Sequence, residues 1–476
     1  MAALIAQIEI SKGVYKTPYE RALRNSPFAV NLVNTLIGPA GENIDRPSLA
    51  SFGSLSSDEI IGLHMFNSLI IAVTSDRKVW STNSTGLTTD ITSVSLPGED
   101  RAQFIDDGTS VYIAGGATPL VWTPGSTTAL LTGSPPETTH LSFLDGYLIA
   151  NRRSVAEKNK VMQFAAFEAP TSWSGINIFS ANAEPDEIMG HTVCQRELYV
   201  VGEKTTEVWQ NVGTYPVPFL RAFVFNFGTQ SPYSILSHEN LVFFLDSQRR
   251  VIQIAGRTPT YLSEAIDQEL STYGTVDDCF SSVFSWNGST HILFTFPTEG
   301  KAWSIDLRNQ QWSEWRGYGT NGWESPKIGA LVYDSVEKRG YVGDPETGSI
   351  WKLQDDVKTD AGGAFKRMRT FSYYDGGASV RKKCNFLRFN VKRGVATAHS
   401  GTTSQTNPTM ELRWRNEDGN WSDYRRADLG AIGTTKGYYT FRRLGQYRTR
   451  QYEYQLSDPS EVTVIGAESD DEVLTS

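Results

Sequence analysis

The sequence predicts an all-β fold: a β-propeller of about seven blades (six being the alternative count), a C-terminal β-sandwich-like module and an extended N-terminal arm. Three observations predict it. One phrase recurs along the chain: an apolar run, a polar turn, and a second strand closing on an apolar–Trp pair. The composition is turn-rich and aromatic, with 41 Gly, 12 Trp and 12% aromatic residues. Helical periodicity is nearly absent, the exception being 263–271, where Leu262, Ile266 and Leu270 fall at helical spacing.

The clearest copy of the phrase is ELYVVGEKTTEVWQN, Glu197 to Asn211. β-Branched and aromatic residues suit a pleated, half-buried surface, and Gly-led polar clusters break it. Other copies end at Trp80, Trp122, Met162, Ile252, Trp303 and Trp351, so successive ends lie 40 to 51 residues apart. An all-β unit with that period is a propeller blade of about four strands. The copy ending at Met162 is the most degenerate. Trp209 reads as a blade-packing residue rather than a ligand platform.

Residues 1–55 stand outside the repeat and read as an arm that packs on something else. Tyr19 to Leu23 starts a short helix, Asn31 to Asn34 is strand-like, Gly38, Pro39 and Gly41 break the chain, and Pro47 to Gly53 leads into the first blade. The propeller is expected over 56–358. A basic β module follows over 359–468. Cys384 to Val391 alternates, Met410 to Arg425 reads as a hairpin turning at Asp418-Gly419, and Tyr438 to Phe441, Tyr452 to Leu456 and Val462 to Ile465 are further strands. Residues 394–408 read as a long Ser/Thr/Gly loop. Residues 469–476 are expected to be an acidic, disordered tail.

Charge is unevenly placed. The net charge of the 476 residues is −9, but 366–450 holds 18 Lys/Arg against 6 Asp/Glu, and 451–476 holds 7 acids and no base. An acidic body with a basic module points to an acidic partner, to pairing with the chain's own tail, or to a solvated face. Three scattered cysteines, Cys194, Cys279 and Cys384, form no disulfide framework and suit a reducing assembly environment. No segment approaches the roughly 18 apolar residues of a membrane span. MAALIAQIEIS lacks the basic start of a signal peptide.

The sequence offers little chemistry. His191 and Cys194 have metal-like spacing, but a structural zinc needs about four ligands and no second pair stands nearby. Asp106-Asp107 and Asp277-Asp278 are neighbours, which on a strand point to opposite faces. No Gly-rich phosphate loop follows a strand. No cofactor and no metal are expected. Asn416 to Trp421, NEDGNW, loosely matches the Asp-box turn of sialidases, so a glycan-binding or glycan-cleaving propeller is the alternative reading. The candidate partner interface is basic: Arg413, Arg415, Arg442, Arg443, Arg448 and Arg450.

In the C-terminal module the residues resemble a known family. Leu412-Arg-Trp414, Asp418-Gly419, Trp421-Ser422, Leu429-Gly430, Arg442-Arg-Leu-Gly445, Arg448, Arg450, Ser457-Asp-Pro459 and Val464-Ile-Gly-Ala467 are similar to the closing pattern of the packaged-DNA stabilisation family of short-tailed phages, which form the tail hub or nozzle. Asn31 to Asn34 and Pro47 to Gly53 are similar too, and 187–262 resembles the family more loosely. The resemblance implies a non-enzymatic virion tail protein, assembled in the host cytoplasm as a homo-hexamer beneath portal and adaptor. It also implies tail fibres or spikes and a needle or plug as partners. DNA would pass through the channel without sequence-specific binding, and no membrane insertion is implied. An acidic propeller lumen would let that DNA slide.

Overall fold

The computed structural model describes residues 3–55, 58–153, 159–355, 358–393, 408–430, 436–458 and 460–474. Seven sheets of four antiparallel strands form a closed ring. Blade one holds Ile60–Phe66, Leu69–Thr74, Val79–Thr82 and Thr88–Asp90. Blades two to six begin at Gln103–Asp106, Leu141–Leu144, Ile188–Cys194, Leu236–His238 and Phe280–Trp286. Blade seven takes Ala330–Asp334, Arg339–Gly343 and Ser349–Gln354 from one end of the chain and Ser48–Ser54 from the other. The degenerate copy at Met162 is a true strand, Val161–Ala166, so the count is seven.

Each blade carries one apolar face toward each neighbour, because side chains alternate along its strands. The cores follow from this. Ile71, Val73, Ile113 and Trp122 fill the seam between blades one and two. Phe164, Phe179, Leu198 and Trp209 fill that between three and four. Trp303 and Trp312 lie between five and six, with Leu262, Ile266 and Leu270 packed beside them. The helix expected there is one turn, Asp267–Leu270. Ile60, Ile70, Tyr341 and Ile350 close the ring between seven and one. Trp209 is therefore a packing residue, its ring 4.7 Å from Phe179.

The N-terminal segment folds onto its own chain. Ser48–Ser54, read above as a lead-in, is the outer strand of blade seven, paired from Ser54↔Ser349 to Ser48↔Gln354. Blade seven has only three strands before the Asp- and Gly-rich stretch begins, so its fourth must come from elsewhere. Ala29–Val33 sits between the outer strand of blade six and Arg367–Phe371. Gly13 passes so close to the Trp312 backbone that a Cβ would lie 2.6 Å from its carbonyl oxygen.

The C-terminal region is a two-sheet sandwich sharing strands with this segment. One sheet runs on from blade six through Ala29–Val33, Arg367–Phe371, Arg450–Leu456, Thr409–Asn416 and Arg425–Asp428. The other orders Thr35–Ile37, Asn43–Asp45, Val462–Val473, Lys382–Arg393 and Lys436–Tyr447, with Ala3–Ile8 also on Val462–Val473. Leu387, Phe389, Met410, Leu412, Tyr452 and Tyr454 fill the space between them. The 394–408 loop lies almost wholly outside the described residues.

The expected acidic tail is corrected: Val462–Val473 is one twelve-residue strand. Its alternation buries Ser469 and Asp471 completely and turns Glu468, Asp470 and Glu472 outward. Asp471 accepts from Tyr374 Oη at 3.1 Å and Ser469 Oγ at 2.8 Å. Glu468 pairs with Arg388 on the adjacent basic strand at 2.9 Å. Charge density alone suggests disorder, but a strand period separates these acids onto two faces.

Candidate interaction site and axial cavity

The six candidate arginines fall into three environments. Arg450 is fully buried. Its Nε donates to Asn416 Oδ1 at 2.7 Å and its Nη2 to the Leu444 carbonyl at 2.8 Å, with Tyr447 stacked 4.2 Å away. It is structural and unavailable to a partner, a correction to the expected interface. Arg413 and Arg415 point the same way from Thr409–Asn416 and flank Trp421. Arg413 pairs with buried Glu453 at 2.6 Å. Arg415 pairs with Glu20 of the short Glu20–Leu23 turn at 2.8 Å and donates to Gln451 at 2.6 Å. Arg415 thus fastens the N-terminal segment to the sandwich, while Arg413 braces two neighbouring strands within it. Arg442, Arg443 and Arg448 are exposed and form no ion pair among the described residues.

Sheet order places those three at the rim away from the propeller. Lys436–Tyr447 ends one sheet and Arg425–Asp428 the other, and Arg425 Nη1 bridges them by donating to the Arg442 and Arg443 carbonyls at 2.8 and 3.2 Å. Arg426 is held by Glu411 at 2.6 Å. The rim therefore offers three exposed cations that form no ion pair among the described residues, with the Glu417 carboxylate engaged by the Arg448 and Thr449 amides. Sequence reasoning missed Arg425, whose visible signal was only its place in the Arg425-Arg426 pair.

The Asp418-Gly419 turn is also structural. Asp418 accepts from Tyr373 Oη and pairs with Arg21, and the Gly419 amide donates to the Asn416 carbonyl at 2.7 Å. His191 and Cys194 do not converge on a metal: His191 meets Ser142 Oγ at 2.9 Å and the His140 carbonyl at 3.0 Å, while Cys194 packs between blades four and five. No metal-type cluster exists among the described residues. Asp106 is held by His64 at 2.9 Å, and Asp107 caps the turn at Thr109 and Ser110.

At the propeller axis the inner strands enclose a cavity of about 540 Å³. Its described lining includes Arg101, His64, His140, His191, Phe104 and Phe143, and no carboxylate. The expected acidic lumen is thus absent at this axis. Arg101 reaches from the start of blade two across the opening to the Gly329 carbonyl of blade seven, and stacks 3.6 Å from the Phe280 ring centroid of blade six. Duplex DNA, whose major groove alone is about 12 Å wide, does not pass a bore crossed in this way.

A family model described as bacteriophage P22 Gp10, β-propeller, matches residues 64–358. The chain belongs to this family. It is a phage structural protein of the packaged-DNA stabilisation type, and the matched stretch covers the seven inner strands except the first residues of blade one. Among solved structures, the WD40 β-propeller domain of Doa1 aligns at 11% identity and TM-score 0.42, over 65% of this chain and 97% of that one. The computationally designed Ika8 protein aligns at 15% and 0.39, over 64% and 99%. The extracellular domain of the one-component system BT4673 from B. thetaiotaomicron aligns at 10% and 0.45, over 68% of this chain and 46% of that one. No curated protein matches the chain. The matched stretch ends before the sandwich, where Leu412 and Trp414 are strand residues packed on the core while Arg442, Arg443 and Arg448 lie on the rim.

Proposed function

We propose that this chain is the tail hub, or nozzle, of a short-tailed phage virion. In this reading six copies form a ring beneath portal and adaptor that continues the DNA channel, helps retain packaged DNA and anchors fibres or spikes, with a needle or plug at its centre. The role is non-enzymatic. The observation that supports it is the far rim of the sandwich, where Arg442, Arg443 and Arg448 are exposed and form no ion pair among the described residues, while the remaining candidates are consumed internally. Such a rim suits an acidic adaptor surface, with electrostatics setting encounter rate and register. DNA runs through the ring of protomers and not along a propeller axis.

Binding of the purified protein to a portal–adaptor complex tests this at low and high salt. The expected result is a six-fold ring in electron micrographs and binding that weakens at high salt. Reversing Arg442, Arg443 and Arg448 to Glu should weaken it at least tenfold at low salt. A stable monomer that ignores the complex overturns the reading.

A further inference from the structure

Sheet edges display unpaired N–H and C=O groups, and folded proteins blunt them with short strands, prolines, bulges, charges or cover. Nearly every edge in this chain is blunted. The outer strands of blades one and two have three and two residues. Those of blades three and four carry register breaks. That of blade five contains Pro259. Blades six and seven are covered by Ala29–Val33 and Thr359–Asp360. On the sandwich, the carbonyls of Lys436–Tyr447 are capped by side chains of Arg425 and Arg450.

Ala3–Ile8 departs from this rule. It pairs with Val462–Val473 in unbroken register from Ala3↔Glu472 to Ile8↔Ala467, and among the described residues no strand pairs with its other edge. Its sequence, ALIAQI, has no charge and no proline, and Ile5 is 66% exposed. A cleft of about 280 Å³ runs beside Ala6 to Glu9, walled on the far side by Ser372, Gly376 and Gly377. An edge of bare backbone is matched by another extended backbone, since only a strand presents donors and acceptors at the same repeat.

Charge selects which strand. On the same outer face stand Asp470 and Glu472, one strand away, and neither forms an ion pair among the described residues. One carboxylate oxygen of Asp470 is buried and accepts no hydrogen bond. On its other flank this acidic strand is balanced by the basic Lys382–Arg393, as in Arg388–Glu468. On the flank of Ala3–Ile8 no base pairs with it among the described residues. A strand added there would stand about two strand spacings, or about 10 Å, from the acids, within reach of long cationic side chains.

We infer that the free edge of Ala3–Ile8 is a docking site for an extended segment of another protein bearing Lys or Arg at alternate positions. The surface is distinct from the arginine rim and does not depend on it. The full-length protein is titrated with a labelled eight-residue peptide of alternating Lys and Val, and with its Glu/Val counterpart, with anisotropy and amide hydrogen exchange as readouts. The Lys/Val peptide should bind at least tenfold more tightly and slow exchange at residues 3–8. The Asp470→Lys, Glu472→Lys variant should reverse that preference. Gln7→Pro, which spoils the edge on an exposed side chain, should abolish protection while the melting temperature confirms folding. Equal binding of both peptides, or no protection at residues 3–8, overturns the inference. So does protection that appears without peptide as the protein dimerises, because the occupant is then a second copy.

Discussion

Arg46 and Asp360 meet at 2.8 Å in the joint between the propeller and the sandwich, with side chains 2% and 4% exposed. The guanidinium lies between the rings of Trp315 and Phe365, 4.7 and 4.9 Å from their centroids. Its Nε donates to Asn34 Oδ1 at 2.7 Å, and the Asn34 amide donates in turn to the Arg316 and Lys366 carbonyls. Nearby, Arg367 pairs with Asp45 at 2.8 Å, and Arg369 donates to Asn43 Oδ1 at 2.8 Å. One segment near the N-terminus thus ties blade six, blade seven and the sandwich together.

Asp360→Ala leaves a buried guanidinium without its counter-ion. Loss of one partner of a buried pair costs about 3–5 kcal/mol. Urea denaturation of the variant should show that loss. A midpoint unchanged from wild type would show that the joint does not depend on the pair.

Trp303→Ala should be far more damaging than Trp351→Ala, although the two end equivalent copies of the repeat. Trp303 is completely buried between blades five and six, and its Nε1 donates to Tyr273 Oη at 2.7 Å. Emptying such a site costs about 3–5 kcal/mol. Trp351 is half-buried on the last blade, with its Nε1 on Asp344 at 3.0 Å. Its loss should cost less than half as much. Equal losses by thermal melting would refute this ordering.

These residues show what the sequence made legible. The repeat phrase located the second and third strands of all seven blades because each second strand must bury an apolar run on both faces, and its turns are pinned by acids visible in the sequence. Asp246 accepts the Gln248 and Arg250 amides at 2.8 Å, and Asp344 accepts the Glu346 amide at 2.8 Å. The closing strand, SLASFGS, was not legible as part of blade seven because its pairing spans some 300 positions of chain. The acidic strand was read by net charge instead of by period two. The candidate site was legible as a basic module but not residue by residue. Arg450 lies two residues beyond exposed Arg448, and only the three-dimensional path of Arg450–Leu456 turns it inward.

Acid should destabilise the propeller through its buried histidines. Burial lowers His140 to about 4 and His191 to about 3. In the unfolded chain both titrate near 6.5, as ordinary histidines do. Between about 4 and 6.5 the unfolded state therefore binds protons that the native state does not, so stability is full above 6.5 and falls as pH drops. The slope is about 1.4 kcal/mol per pH unit per histidine. His191→Gln should flatten the decline between pH 6.5 and 4.5 relative to wild type. Parallel stability–pH curves for the two proteins would exclude this contribution.

Arg448 and Arg450 should separate binding from folding. Arg448→Ala removes an exposed cation with no ion-pair partner among the described residues, so stability should change by no more than about 0.5 kcal/mol. Arg450→Ala removes a buried side chain that satisfies Asn416 and the Leu444 carbonyl and stacks on Tyr447. Lost charged hydrogen bonds and the resulting cavity together cost about 3 kcal/mol. Arg448→Ala should weaken adaptor binding with an unchanged melting temperature. Arg450→Ala should lower the melting temperature first, with any binding defect following the unfolded fraction. If Arg450→Ala instead melts like wild type and loses adaptor binding, Arg450 is not the internal brace its burial indicates.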